Sequence, residues 1–401
     1  MRYCLSFDIA KGKSVVGLFD ENREVLIKPH EISHTKRDFD HLMQCIADDI
    51  KERMGVIMES TSIYHEPVFH YFTENGIVPI VLNALIAKMQ KQTLRKTKTD
   101  KLDCAYLATI YFENKQNLQT THARVYREMQ ELSRHIIGLT KTLIIHKNRF
   151  RQLIGKSFPM LEEIWETKFF FGETALRFMI RYPHADIVSE TRIDALGNAL
   201  SSVSGRHKKQ YQKMALKVKQ AARDSLTAVD KTSVVCEEVS ELAEIILVLE
   251  NQIEVRKRQL IELAEKTKYY KNINSIFGIG DWTAASLIAE LKDVTRYSNI
   301  KKLTAGCGLD PTIVKSGKTI NYHGPISKRG NPRARCVLHS AVSTIVTVAS
   351  KNQKDNPILL YYKKKRSEGK HHYAALTASA TKLLRIIYTI CVDDSTYRHS
   401  L

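Results

Sequence analysis

Two stretches in the middle of the chain repeat with the period of a coiled coil, and they restrict the fold more than anything else in the sequence. Leu132, Ile136, Leu139, Leu143, His146, Phe150 and Leu153 recur at alternating spacings of four and three residues. Val239, Leu242, Ile246, Leu249, Ile253, Arg256, Leu260 and Leu263 do the same. Such a repeat lays one stripe along a helix and demands another helix against it. Two long helices are therefore expected, free to pair with each other or across a dimer. His146 and Arg256 interrupt the stripes and are expected as polar core positions that set the register. The stretch between holds Pro159, Pro183 and Phe169-Phe170-Phe171, which suits shorter helices. A chain of 401 residues is too long for one core. The pattern divides it into 1–115, a helical and coiled-coil region 116–270, and a mainly helical region 271–401.

The first region alternates short apolar runs with helical segments, an α/β order. Strands are expected at 2–9, 13–19 and 23–28, then a helix at 36–52, a strand at 55–59, a helix at 63–75, a strand at 77–82 and a helix at 100–112. That is the element order of a ribonuclease H-like domain, and it gives four acids particular places. Asp8 ends the run Tyr3-Cys4-Leu5-Ser6-Phe7-Asp8-Ile9, and Glu59 ends Gly55-Val56-Ile57-Met58-Glu59. Asp100 and Asp103 open the last helix, where a three-residue offset puts both on one face. Singly, an Asp at a strand end is a turn former and an Asp at a helix start is a cap. Together, carboxylates from two strand ends and one helix turn suit Mg²⁺ (or Mn²⁺), which takes oxygen ligands and keeps several waters. Two such ions can clamp the attacking and leaving oxygens of a phosphoryl transfer.

Charge points the same way. The chain carries 62 Lys and Arg against 43 Asp and Glu, a formal net charge of +19. Such an excess favours a polyanion, nucleic acid before a membrane surface. The stretch Asn83 to Thr99, directly before Asp100, holds Lys88, Lys91, Arg95, Lys96 and Lys98 and no acid. It reads as a backbone clamp beside a metal site, or as a solvated loop. A second basic stretch runs from Arg206 to Arg223. No apolar run reaches the length of a membrane span, and the N-terminus has no signal-peptide pattern. Seven scattered cysteines without a Cys-x-x-Cys pair exclude a standard zinc module and suit reduced thiols in the cytoplasm.

Three features mark the last region. Ile276-Phe277-Gly278-Ile279-Gly280 resembles the turn of a helix-hairpin-helix, in which Gly278 and Gly280 would let backbone N–H groups face a phosphate; a plain helix–turn–helix contact fits equally. From Pro311 to Lys354 there is no acid, while Lys315, Lys318, Lys328, Arg329 and Arg333 are basic. A serine in that field, Ser316 before Gly317, could attack phosphorus if a base or metal activated it, and the cations would stabilise the transferring phosphoryl group. Finally, Tyr361-Tyr362 runs into Lys363, Lys364, Lys365 and Arg366, a pairing of rings and cations that suits single strands or RNA.

The four acids, with the run Gly308-Leu309-Asp310-Pro311, Ser316-Gly317 and Ile326-Ser327-Lys328-Arg329-Gly330-Asn331, resemble the DEDD-class insertion-sequence transposases, the family that includes the Piv DNA invertase. The resemblance covers nearly the whole chain: a RuvC-like domain, a coiled-coil middle and a C-terminal transposase domain. It implies metal held by Asp8, Glu59, Asp100 and Asp103, and a serine nucleophile that becomes linked to DNA. Ser316 matches that nucleophile best and Ser327 is the competitor. It further implies donor and target DNA, a structured bridge RNA, and a homo-oligomer (dimer or tetramer) acting at the nucleoid. The alternative is a RuvC-like junction nuclease, in which water attacks and no protein–DNA bond forms.

Overall fold

The apolar-rich runs of β1 (Tyr3–Ala10) and β2 (Lys13–Asp20) form an antiparallel pair closed by Lys11-Gly12, with Gly12 at φ +74°. The structure, a computed structural model, describes residues 1–83, 100–114, 124–165, 170–201, 208–316, 320–353 and 355–397. It divides into two compact units, Met1–Ala123 and Arg124–Leu401. In the first, β1 and β2 are followed by β3 (Val25–Ser33), α1 (Lys36–Gln44), α2 (Asp48–Lys51), β4 (Met54–Ser60), α3 (Glu66–Glu74), β5 (Ile80–Asn83) and α4 (Asp100–Asn114). The strands make one sheet in the order β3-β2-β1-β4-β5, with β1–β4 and β4–β5 parallel and the rest antiparallel. The single helix expected at 36–52 is two: α1 stops at Cys45, Ile46 turns into the core at 2% exposure, and α2 restarts after extended Ala47.

Side chains alternate across a sheet, and here the two faces bury different cores. Leu5, Phe7 and Ile9 of β1 and Met54, Val56 and Met58 of β4 pack with Phe39 of α1 and Phe69 and Phe72 of α3. Cys4 of β1, Ile57 of β4 and Leu82 of β5 pack with Cys104, Leu107 and Tyr111 of α4. Gly55 faces Tyr111, and a Cβ there would collide with the Tyr111 ring.

The second unit starts with α5 (Arg124–Ser157), then α6 (Leu161–Ile164), α7 (Glu173–Arg181), α8 (Ala185–Glu190), α9 (Ile193–Ser201), α10 (Lys208–Asp224) and α11 (Val234–Glu265). It continues with α12 (Tyr270–Asn274), α13 (Asp281–Leu291), a 3₁₀ turn Val294–Arg296, α14 (Ile300–Gly306), the hairpin β6 (Pro311–Ser316) and β7 (Ile320–Ile326), α15 (Pro332–Lys351), α16 (Pro357–Ser367) and α17 (His372–Val392). The two heptad helices are α5 and α11, and they pair antiparallel within one chain. Ion pairs Arg149–Glu238 at 2.8 Å and Lys147–Glu250 at 2.5 Å cross between them. Their distal ends, with Phe150, Leu153, Val239 and Leu242, build one core with α7 to α10. Their proximal ends, with Met129, Ile136, Ile253 and Leu260, build another with α12 to α17. Regions 116–270 and 271–401 thus share one unit. Arg256, expected inside the pair, is exposed, its guanidinium donating to Gln259 Oε1 at 2.8 Å. Among the described residues α17 alone is long and apolar enough to cross a membrane, and half of that stretch is buried in the proximal core.

Candidate active site

Asp8 and Glu59 come together through strand register. β1 and β4 run parallel with Cys4 beside Gly55, Ser6 beside Ile57 and Phe7 beside Met58. One more step along both strands sets Asp8 beside Glu59, on neighbours about 4.8 Å apart. Both acids share the parity of Cys4 and Ile57, so both belong to the sheet face that α4 covers. Helix α4 is fastened there by its second residue pair. The Ser6 hydroxyl donates to the Cys104 carbonyl at 2.9 Å, and the Cys104 thiol donates to the Ser6 carbonyl at 3.0 Å. Asp103 precedes Cys104 and is 9% exposed. Burial pushes the Cys104 thiol up to about 11, with the Asp8 charge also raising it and the Ser6 hydrogen bond opposing. That thiol stays protonated near neutrality.

Asp8 and Glu59 therefore arrive on one face at the C-terminal ends of parallel strands, and α4, which carries the buried Asp103, packs on that face. Asp100 is the first residue of α4, and its side chain lies outside the described residues. Among the described residues no three Asp, Glu, His or Cys side chains close round a point that would hold a metal ion. The donor chemistry nonetheless fits a hard cation: oxygen ligands only, with the buried thiol neutral beside them. Lys88, Lys91, Arg95, Lys96 and Lys98 lie outside the described residues.

In the second unit the acid-free tract is a hairpin with a locked base. Ser316 ends β6 opposite Ile320, and Lys315 pairs with Asn321, so both backbones lie next to the tip of the β6–β7 hairpin. Their side chains, and Lys318, lie outside the described residues. At the base, two glycine-bearing segments pack backbone on backbone. Lys328 N donates to Gly308 O at 3.2 Å, Asn331 N to Gly306 O at 2.8 Å and Ser327 N to Asp310 O at 2.8 Å. Gly308 has φ +63°, and a Cβ on Gly330 would strike the Gly306 backbone. The Ser327 hydroxyl donates to Asp310 Oδ1 at 2.6 Å and accepts weakly from Arg329 N at 3.4 Å. The Arg335 guanidinium donates to the carbonyls of Cys307 and Gly330 at 2.9 and 3.0 Å. Lys328, Arg329 and Arg333 point to solvent.

A hub under this base escaped the sequence reading. The Glu290 side chain is 0% exposed. It accepts from Asn331 Nδ2 at 2.8 Å and Gln130 Nε2 at 3.3 Å and faces Arg134 at 3.6 Å. Asn331 also caps α15 through Arg333 N and Ala334 N. Lys292, at φ +59°, lies among the same charges. Burial holds its ammonium down to about 8; Arg134, Arg127 and Arg296 push the same way, and Glu290 opposes. Nothing local marks Glu290 in the sequence, since it is one polar residue in the apolar helix α13, and its partners lie 41 and 160 residues away.

The glycine turn expected at 276–280 forms between α12 and α13. Gly278 has φ +85° and packs on Ile345, while Gly280 is the N-cap of α13. The first helical residue, Asp281, accepts from Tyr270 Oη at 2.7 Å and Asn274 Nδ2 at 3.0 Å. This carboxylate already compensates the positive helix end where a phosphate was expected. On α16, Lys363, Lys364 and Arg366 are exposed. Lys365 pairs with Glu368 at 2.7 Å, and the ammonium groups of Lys365 and Lys382 stand 5.3 and 5.0 Å from the Tyr361 ring centre.

Two family models match the chain. A DEDD transposase model of the IS110 kind covers residues 5–159, and a model of the transposase IS116/IS110/IS902 family covers residues 270–356. The uncharacterised protein of insertion element IS116 from Streptomyces clavuligerus is 26% identical over 65% of this chain and 63% of its own length. A protein of insertion element IS110 from Streptomyces coelicolor is 27% identical over 40% of this chain and 38% of its own. The transposase for insertion sequence element IS1111A from Coxiella burnetii is 30% identical over 35% of this chain and 38% of its own. Each match spans less than two thirds of the relative.

Proposed function

We propose, from the premise that this chain belongs to the IS110 family of DEDD transposases, that it cuts and rejoins DNA for an insertion sequence. The observation that supports this reading is the register that sets Asp8 beside Glu59 at the ends of parallel β1 and β4, on the sheet face against which α4, the helix of Asp103, packs. With Asp100, these three acids would hold Mg²⁺ (or Mn²⁺) in an RNase H-like, RuvC-like domain. The bound ions would neutralise the scissile phosphate and favour an alkoxide nucleophile. The same acids could then take the proton that the attacking hydroxyl gives up.

Ser316 is the proposed nucleophile. Its Oγ would form a bond to phosphorus as the DNA hydroxyl leaves, and a later DNA hydroxyl would displace the serine, so rejoining conserves the phosphodiester energy without ATP. Two observations support Ser316 over Ser327. Ser316 belongs to the hairpin next to its tip, whereas the Ser327 hydroxyl is engaged by Asp310 and the Arg329 amide in holding the hairpin base. Lys315, Lys318, Lys328, Arg329 and Arg333 would steady the phosphate chain, with Lys88, Lys91, Arg95, Lys96 and Lys98 serving the acids. Donor and target DNA, a structured bridge RNA and further copies of the chain are the proposed partners, in the cytoplasm.

The test is denaturing electrophoresis of reactions on labelled element-end DNA. Wild type and Ser327→Ala should leave DNA covalently attached to protein, and Ser316→Ala should not. Asp8→Ala should abolish cleavage in Mg²⁺ while nucleic-acid binding persists. An adduct retained by Ser316→Ala and lost by Ser327→Ala would move the nucleophile. Cleavage with no adduct in any variant would replace this reading by the junction nuclease.

A further inference from the structure

A groove of about 1050 Å³ lies along α17, and none of the acids, the hairpin or the glycine turn borders it. Lys382, Arg385 and Ile386 of α17 form its floor, Tyr361 of α16 one wall, and the segment after α17, with Asp394 and Tyr397, the other. That last wall is fastened to α12 and its following residue. The buried Asn272 side chain donates to Ser395 O at 2.8 Å and to Asp394 Oδ1 at 3.3 Å, and Tyr397 N donates to Ser275 Oγ at 2.7 Å. Ser395 N also closes back on Ile390 O at 2.9 Å. The groove is therefore formed before anything binds, as small-molecule sites usually are.

Its two ends differ in chemistry. At one end the Lys382 ammonium stands 5.0 Å from the Tyr361 ring centre, and Arg385 follows one helical turn on, on the same face. Among the described residues neither cation meets an acid. At the other end, where the last wall closes on Ile390 about 12 Å along the helix from Lys382, stand the half-buried Tyr397 ring and the exposed Asp394 carboxylate. Asp394 Oδ1 has the one long hydrogen bond from Asn272, and Oδ2 accepts none among the described residues. A phosphate suits the cation end. A flat ring suits Tyr397 and the apolar Ile386. A ring that offers N–H donors suits Asp394, which accepts only. An acidic peptide would satisfy the cations but be repelled by Asp394. A nucleotide unites the three demands, and guanine, with two neighbouring N–H donors on one edge, matches a carboxylate best.

We propose that the groove along α17 binds a guanine nucleotide, with its phosphate on Lys382 and Arg385 and its base against Tyr397 and Asp394. A free nucleotide and an unpaired guanosine in a strand offer the same chemistry. None of the residues proposed for catalysis lines the groove, so this inference stands apart from the catalytic reading. The experiment is calorimetric titration of the full chain, freed of nucleic acid by nuclease. The probes are guanosine monophosphate, adenosine monophosphate, inorganic phosphate, and two short oligouridylates carrying one central guanosine or adenosine. The guanine probe should bind about tenfold or more tightly than the adenine probe, the difference of a charged hydrogen bond, and phosphate more weakly than either. Asp394→Asn should erase the base preference while binding persists. Arg385→Ala should weaken both nucleotides, and Lys382→Ala gives a second reading of the phosphate end. These side chains lie at the surface or at its edge, so unchanged melting separates lost binding from lost fold. A guanine preference in the oligonucleotides alone assigns the guanosine to a strand, and one in the mononucleotides assigns a free ligand. No guanine preference in either form would overturn the proposal. So would a preference that survives Asp394→Asn, or guanine binding that both cation variants leave intact.

Discussion

Lys292 is the residue where local chemistry and fold are most at odds. It holds a left-handed backbone angle and an ammonium surrounded by three arginines, and burial is the largest reason its pKa falls to about 8. An unfolded lysine titrates near 10.5. Between those values the unfolded chain binds the extra proton, so this group makes the protein more stable as pH rises from about 8 towards 10.5 and penalises it below. Lys292→Met should accordingly raise the thermal midpoint at neutral pH. The gap between variant and wild type should then close as pH climbs through that window, followed by circular dichroism at matched salt. A gap independent of pH would mean that the ammonium is solvated. Nothing in the residues flanking Lys292 announces this, because its low pKa comes first from burial in the fold and then from Arg134 and Arg127 on α5, more than a hundred residues away.

At the scale of elements, the placement of α4 decides whether the acids meet, and Gly55 decides how closely α4 can lie. Its missing side chain admits the Tyr111 ring against β4. Gly55→Ala should cost about 1–3 kcal/mol by overpacking, read from denaturant unfolding of the first unit. It should also slow DNA cleavage, because Tyr111 and Asp103 ride on one helix. Cleavage at the wild-type rate in a destabilised protein would show that α4 shifts without moving Asp103. Elements of this kind were largely legible in advance. Short apolar runs mark β1 and β4, and heptads mark α5 and α11, because each signal is set by neighbours a few residues away. The break between α1 and α2 was not, since it arises from Ile46 reaching a core assembled from distant strands. The pairing of α5 with α11 rather than with another copy was likewise open, because one stripe fits either partner. Among the candidate site residues, the acids were visible as runs ending in Asp8 and Glu59. The lock of Asp310, Arg335 and Glu290 under the hairpin was not, since its contacts join segments with no shared pattern.

Over the whole molecule, the division at residue 123 predicts that the second unit is a folding unit in its own right. Residues 124–401 expressed alone should be strongly helical and unfold in one cooperative transition, because α5 and α11 run through both of its cores. Two resolved transitions would mean that the cores melt independently despite the shared helices. With 34 residues, α5 is about 50 Å long, and its far end stands beside the start of α11, where Arg149 meets Glu238. The chain between them, α6 to α10, leaves and returns at one place. Geometrically this is an insertion port: the intervening segment can lengthen, shrink or be exchanged for another module without displacing the hairpin, the glycine-locked base or Ser316. It can be replaced but not simply cut out, because Phe150, Leu153, Val239 and Leu242 need an apolar cover at that end. Variation in size among chains built on this plan should therefore concentrate between α5 and α11. A reporter domain grafted there, over a retained apolar cap, should ride at the tip of the hairpin while the rest of the molecule keeps its form.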